Sequence, residues 1–309
     1  MQQSSPPRSP TSRPAPLPGQ PAQPAFEPVL PQEDQEPLVM TATQAVSRSN
    51  RRILVMGPRG TGKTTFSMSA SNHAGDRITG PKRMCSDVLV FQGDNEGIMG
   101  ALDAGLVCDR VIDMSGLSDW LSYTKKLAHG LRYFDKALRD GTIKIIIIDL
   151  NCPARLIDRT APLNDYGKTM AAQGARIFDA FSPYRGVTVI GNAQMKVHTV
   201  FGEDSRKGAT DNAIAASHAR SIGGERSSYT IDLPKGMASM WLDNCSFVFT
   251  RKRRRVRDLE NDVVLEYSTV TQSTSLYEAK SRAQAKLKTV EPGEISMRAL
   301  LTRAYGEAA

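Results

Sequence analysis

The stretch Ile53-Leu54-Val55-Met56-Gly57-Pro58-Arg59-Gly60-Thr61-Gly62-Lys63-Thr64-Thr65 decides the fold. Ile53 to Met56 is a short apolar run with the character of a buried strand. Gly57 to Thr64 then matches G-x-x-x-x-G-K-[ST], and a helix-compatible segment, Lys63 to Asn72, follows. These residue types suit a polyphosphate. Glycines let the backbone curl until successive N–H groups converge on phosphate oxygens. The helix behind the turn aims its positive end at the same anion. Lys63 offers a point charge to the β- and γ-phosphates, and the Thr64 hydroxyl is a ligand for Mg²⁺. The expected cofactors are therefore ATP and Mg²⁺. Their cradle would be Gly57, Pro58, Arg59, Gly60, Thr61, Gly62, Lys63, Thr64 and Thr65. The bare pattern arises by chance in about one chain of this length in a hundred. A strand immediately before it and a helix immediately after it are what separate this instance from chance.

Outward from the loop, apolar runs alternate with helical periods. Asp87 to Phe91, Ile143 to Ile148 and Val187 to Ile190 read as strands. Ser115 to Asp140 reads as one long helix, with Leu117, Trp120, Leu121, Leu127, Leu131, Phe134 and Leu138 on one face and Gly141 as its stop. Lys168 to Phe181 reads as a helix with Ile177, Phe178 and Phe181 inward, ended by Pro183. From Gln194 to about Ser246 no period is sustained, so at most short pieces are expected there. Ser246 to Thr250 and Val263 to Tyr267 alternate as strands, and a short helix is expected beyond Glu291. Strand–helix alternation opening on such a loop implies an α/β fold, a mostly parallel sheet with helices on both faces.

Residues 1 to 37 hold eleven of the eighteen prolines, among Ser, Gln and Arg. A segment this poor in apolar side chains and backbone donors is expected to be a disordered, proline-rich tail. The expected organisation is a tail over 1–40, one α/β domain over 41–290, and a tail or short helix over 291–309. The formal net charge is +8, a balance that favours polyanions, nucleic acid above all. Cys85, Cys108, Cys152 and Cys245 stand far apart and match neither zinc spacing nor a disulfide framework. The longest aliphatic run, Ile145 to Ile148, is far too short to cross a bilayer, and no secretory signal is evident. A cytoplasmic protein without membrane attachment is expected.

Asp149 ends the apolar strand at the carboxyl edge, where open α/β sheets bind ligands. It would hold Mg²⁺ through water, or merely cap the next turn. Leu150 follows it, so a catalytic base has to come from elsewhere. Glu96, in the turn Gly93-Asp94-Asn95-Glu96-Gly97, is the candidate to activate water, with Asp94 in competition. Gln194 closes a later strand and is a candidate γ-phosphate sensor, with Asn192 as the alternative. Together with Lys63, Glu96 and Gln194 form the expected catalytic set. Arg251-Lys252-Arg253-Arg254-Arg255-Val256-Arg257 is the densest basic run. It would touch nucleic-acid phosphates, reach a neighbouring subunit's γ-phosphate, or sit solvated at a strand end.

The P-loop, the Asp94 to Gly97 turn, the lone Asp149 after four isoleucines and Gln194 together resemble the RecA-like ATPases (an AAA-type ATP-binding domain). The nearest likeness is to the phage single-domain members associated with single-strand annealing. Leu233-Pro234-Lys235-Gly236, Asp243, and Ala279-Lys280-Ser281-Arg282 are similar as well, so the likeness spans roughly 50 to 288. Gly93 and Asn95 depart from the family's acidic turn. The resemblance implies a RecA-like core that hydrolyses ATP with Glu96 as base and Gln194 as sensor. It implies single-stranded DNA as partner, bound through the loop after Gln194, in recombination, repair or replication. It also leaves room for an annealing or single-strand-binding protein, for a homo-oligomer, and for the host cytoplasm as the compartment of a phage-encoded chain. The loop itself is nearly neutral, with Phe201 and Tyr229 available for stacking, and His198 and His218 in no metal spacing. Competing classes are a nucleotide-gated adaptor without turnover, a small-molecule kinase, and a packaging motor.

Overall fold

The computed structural model describes residues 51–93, 96–156, 163–200, 226–257, 263–273, 279–281 and 286–305. The proline-rich segment, Asp94 and Asn95, the loop residues Phe201, Arg206, Lys207, His218 and Arg220, and Arg282 lie outside them.

In chain order the elements are β1 (Arg51–Gly57), α1 (Lys63–Met68), β2 (Arg83–Met84), β3 (Val88–Gln92), α2 (Glu96–Asp103), β4 (Leu106–Val107) and β5 (Val111–Asp113). Next come α3 (Trp120–Tyr133), α4 (Asp135–Arg139), β6 (Ile145–Asp149), α5 (Asn151–Arg155), α6 (Leu163–Phe181), β7 (Thr188–Val200) and β8 (Arg226–Ile231). The chain closes with α7 (Lys235–Asn244), β9 (Phe247–Arg257), β10 (Val263–Val270), β11 (Lys280–Ser281), β12 (Val290–Pro292) and α8 (Met297–Tyr305).

The principal sheet runs β12-β10-β9-β1-β7-β6-β3-β5, with β11 on β9 and β8 on β7. From β9 to β5 every neighbour is parallel. The strands β8, β10, β11 and β12 join antiparallel at its margins. Strand alternation divides the core in two. Leu54, Met56, Ile146 and Ile148 face a layer built from α3, α4, α6 and α7. Ile53, Val55, Ile145 and Ile147 face α1, α2 and α8 on the other side. The chain is thus α/β, a mixed and mostly parallel sheet with helices on both faces. Residues 290–305 contribute β12 to the sheet, and Met297, Leu300 and Leu301 of α8 are buried in the second layer.

Several expected boundaries move, each for a local reason. The long helix expected over Ser115 to Asp140 starts at Trp120, where Asp119 accepts the Ser122 N–H at 2.8 Å and its hydroxyl at 2.6 Å. These bonds, the hydroxyl's first, hold the Asp119 carboxyl below its ordinary range. The helix breaks at Phe134, whose φ of −100° and ψ of 11° leave helical geometry. Leu121, expected inward, is 61% exposed, and Tyr123 occupies the buried face instead. The helix after the loop stops at Met68 rather than Asn72. Buried Ser69 bonds back to Phe66 O at 2.6 Å, and Ser71 turns to Asp87, so both side chains compete with helical bonding. Helix α7 lies where no sustained period was expected. Its Trp241 is fully buried over Gly191 of β7, where a Cβ would come within 2.6 Å of the indole.

Candidate functional site

The carboxyl ends of β1, β6, β7 and β9 meet along one edge. Gly57 is in register with Gln194, Asp149 with Asn192, and Met56 with Thr250. A cleft of about 900 Å³ opens there. Arg59 to Thr65, Glu96, Asp149, Asn192, Gln194 and Arg251 line one part of it. Its far end is built from Tyr267, Pro292, Glu294 and their neighbours on β10 and after β12.

The turn between β1 and α1 needs its glycines. Gly60 and Gly62 have φ of 68° and 71°, in the left-handed region. At Gly57 a Cβ would stand 2.5 Å from Arg251 O and 2.6 Å from Thr61 Oγ1. Thr61 Oγ1 donates to Pro58 O at 2.8 Å, and Lys63 Nζ arches back to Gly57 O and Pro58 O at 3.0 and 2.9 Å. Gly62 stands at the cap of α1 without a side chain, so no side-chain acceptor answers the first-turn amides. Arg59 through Thr65 face the cleft, whereas Gly57 and Pro58, also expected in the cradle, are not among its lining residues.

Asp149 and Glu96 line the same cleft as this turn. Asp149 Oδ1 accepts from the Asn151 N–H at 3.0 Å and its Nδ2 at 2.9 Å. Asn151 Oδ1 in turn accepts the Gln194 N–H at 3.0 Å. One asparagine therefore ties the end of β6 to the end of the inner part of β7. Ser67 of α1 donates to Asn192 Oδ1 at 2.6 Å, both side chains buried. Gly97 packs against Thr64, its Cβ position 2.9 Å from Thr64 Cβ and closer still to the hydroxyl. Glu96, the first residue of α2, is exposed and lines the cleft beside that contact. Asp94 lies outside the described residues. Beneath the site, burial pushes the Tyr123 phenol well above its ordinary value, with Cys152 and Asp149 adding to the shift.

The basic run divides by strand alternation. Arg251 is 3% exposed and points beneath the loop. It donates from Nε to Thr61 O at 3.4 Å and from Nη1 to Thr269 Oγ1 and Gly293 O at 2.6 and 3.2 Å. Burial lowers its guanidinium to about 10. Arg253, on the same strand face, donates to Gly60 O at 3.3 Å. Exposed Arg254 pairs with Glu266 at 3.5 Å, a contact that contributes little in water. Arg251 is thus part of the loop's foundation rather than of an outward basic surface. The side chains of Arg255, Arg257, Tyr229 and His198 lie outside the described residues.

Asn151, Ser67 and the buried placement of Arg251 carry no local sequence signature. Only the D-x-N spacing of Asp149 and Asn151 hints at an Asx turn. Among the described residues no three His, Cys, Asp or Glu side chains group as a metal site. Mg²⁺ bound with phosphates needs only one or two protein oxygens, so the Thr64 hydroxyl and the Asp149 carboxylate fit it chemically. No helix among the described residues is long and apolar enough to cross a membrane. Comparison with protein-family models and with curated proteins gives no match to this chain.

Proposed function

We propose that the chain is a RecA-like P-loop ATPase that binds ATP with Mg²⁺ and acts with single-stranded DNA. The observation that carries this reading is the shared cleft: Arg59 to Thr65, Asp149, Glu96 and Gln194 come from four different segments and line one space. In this reading the amides of Gly60 to Thr64 receive the phosphates, and Lys63 swings from its carbonyl partners to their charge. Mg²⁺, when bound, would supply charge neutralisation to the phosphates. Thr64 and Asp149 would hold it, and Asn151 holds Asp149. Glu96, exposed at the start of α2 and beside Thr64, orients and deprotonates water. Gln194 lies on β7 just before the stretch that pairs with β8, so a change at its amide is passed directly into that hairpin. Single-stranded DNA is supported by the +8 charge and by exposed Arg253 and Arg254 near the same sheet edge.

The test is ATP hydrolysis with and without single-stranded DNA, for the native chain and Glu96→Gln. Native turnover should rise with DNA, and Glu96→Gln should lose turnover while still binding ATP. Turnover indifferent to DNA, with no salt-sensitive DNA retention, removes the DNA-dependent reading. An unchanged rate in Glu96→Gln removes Glu96 as base. Nucleotide binding without any turnover in the native chain favours the nucleotide-gated adaptor.

A further inference from the structure

Arg251 is a buried cation whose hydrogen-bond partners among the described residues are all neutral. Its three bonds go to two carbonyl oxygens and one hydroxyl. Its guanidinium lies over the Phe66 ring, 4.8 Å from the centroid, which offers only a quadrupole. No carboxylate pairs with it among the described residues. Isolated charges are costly to bury, and a fold that keeps one has a reason to hold it there. Its setting suggests the reason. Nη2 makes no hydrogen bond to the described residues and is the atom nearest the Cβ position of Gly62, at 4.0 Å. Gly62 is the residue from which α1 springs, and Arg251 lines the cleft.

We propose that Arg251 is the second cation of the phosphate site, a positioning residue that grips the loop from beneath and whose missing counter-charge is the polyphosphate. The proposal rests on the nucleotide reading above. Its two actions are separable. Through Nε it holds Thr61 O and so fixes one carbonyl of the loop. Through its charge it raises the potential at the first turn of α1, in surroundings that screen it weakly because the side chain is buried. Arg253, bonded to Gly60 O, is exposed and screened, so it shares the first action far more than the second. The bonds to Thr269 Oγ1 and Gly293 O extend the grip to β10 and to the turn after β12, which form the far end of the same cleft. Occupancy at the loop is thereby tied to the wall opposite.

The experiment compares binding of inorganic tripolyphosphate by calorimetry, and melting without ligand, for the native chain, Lys63→Ala, Arg251→Lys and Arg251→Met. Arg251→Met should bind about tenfold more weakly, the size of effect of one charge-assisted contact. Arg251→Lys should recover most of that loss, because it restores charge without the fork. A clamp without an electrostatic role would leave Lys as weak as Met, which overturns the proposal. So does a folded Arg251→Met that binds as tightly as the native chain. Should Arg251→Met fail to fold, arginine-selective ¹⁵N spectra of the native chain decide, with Arg251→Lys identifying the resonance. A shift of the Arg251 Nη signal on adding tripolyphosphate is expected, and none overturns the proposal. If the native chain binds neither tripolyphosphate nor ATP, the nucleotide reading itself falls. If it binds both and only Lys63→Ala weakens them, the nucleotide reading stands and the Arg251 proposal alone fails.

Discussion

A methyl group on Gly93 would stand 2.5 Å from Oδ2 of Asp149 and 2.9 Å from Cβ of Cys152, so the turn after β3 rests directly on the carboxylate that ends β6. The same segment touches the first turn of α1 four residues later, where Gly97 meets Thr64. Two glycines thus bring the segment carrying Glu96 against both oxygen ligands proposed for the metal. No side chain fits between the Gly93 backbone and Asp149 without one of them shifting.

Gly93→Ala should force the turn and Asp149 apart. Overpacking of this kind costs about 1–3 kcal/mol, and the displaced carboxylate should reduce ATP turnover more than ATP binding. Urea unfolding and steady-state kinetics measure the two. Native kinetics in a destabilised variant would separate the contact from the chemistry.

Asn151→Ala removes the side-chain bond to Asp149 and the acceptor for the Gln194 N–H. The half-maximal Mg²⁺ concentration for turnover should rise, on the order of tenfold, as expected when the partner of a metal-binding carboxylate is lost. An unaltered Mg²⁺ requirement would show that Asn151 serves only the backbone.

Ser67→Ala leaves the buried Asn192 Oδ1 without the hydroxyl that meets it at 2.6 Å. An unsatisfied buried acceptor costs about 1–3 kcal/mol, so the melting temperature should fall by several degrees. Thermal denaturation followed by circular dichroism is the measurement. A variant as stable as the native chain would mean that another donor replaces the serine.

Cys108 and Cys245 should resist alkylation at pH 8. Burial raises their thiols to about 11 and about 12, so almost no thiolate is present in the folded chain. Between the ordinary value of 9.0 and these raised values, the folded state keeps protons that the unfolded state releases. The stability these groups contribute is complete below pH 9 and is lost as pH rises through about 11 and 12. Iodoacetamide labelling read by mass spectrometry should reach them only with denaturant. Rapid labelling of either in native buffer would contradict the raised thiol values.

The strands at the centre of the sheet were legible because each is a continuous apolar run bounded by a polar residue or glycine, and burial on both faces leaves no other pattern. Helix α7 was not legible. Its first turn is Lys235-Gly236-Met237, poor in helical period, and it is held by Trp241 packing over Gly191, more than forty residues away in sequence. The single helix expected over Ser115 to Asp140 failed for the opposite reason: the apolar period continues through Phe134, but the backbone there does not.

The residue order alone determined the glycine-rich turn from Gly57 to Thr64, because strand, glycines, lysine and threonine stand within one local segment and their spacing is their geometry. It also determined the sheet's central strands, through the uniform apolarity that double burial demands. Only the tertiary structure decided that Asn151 spans Asp149 and Gln194, that Gly93 yields its space to a carboxylate, and that Arg251 lies under the loop rather than on a basic surface. Each of those facts depends on which strands become neighbours and which face a side chain takes. Contacts between distant segments are set by packing of the whole chain, and no local spacing encodes them.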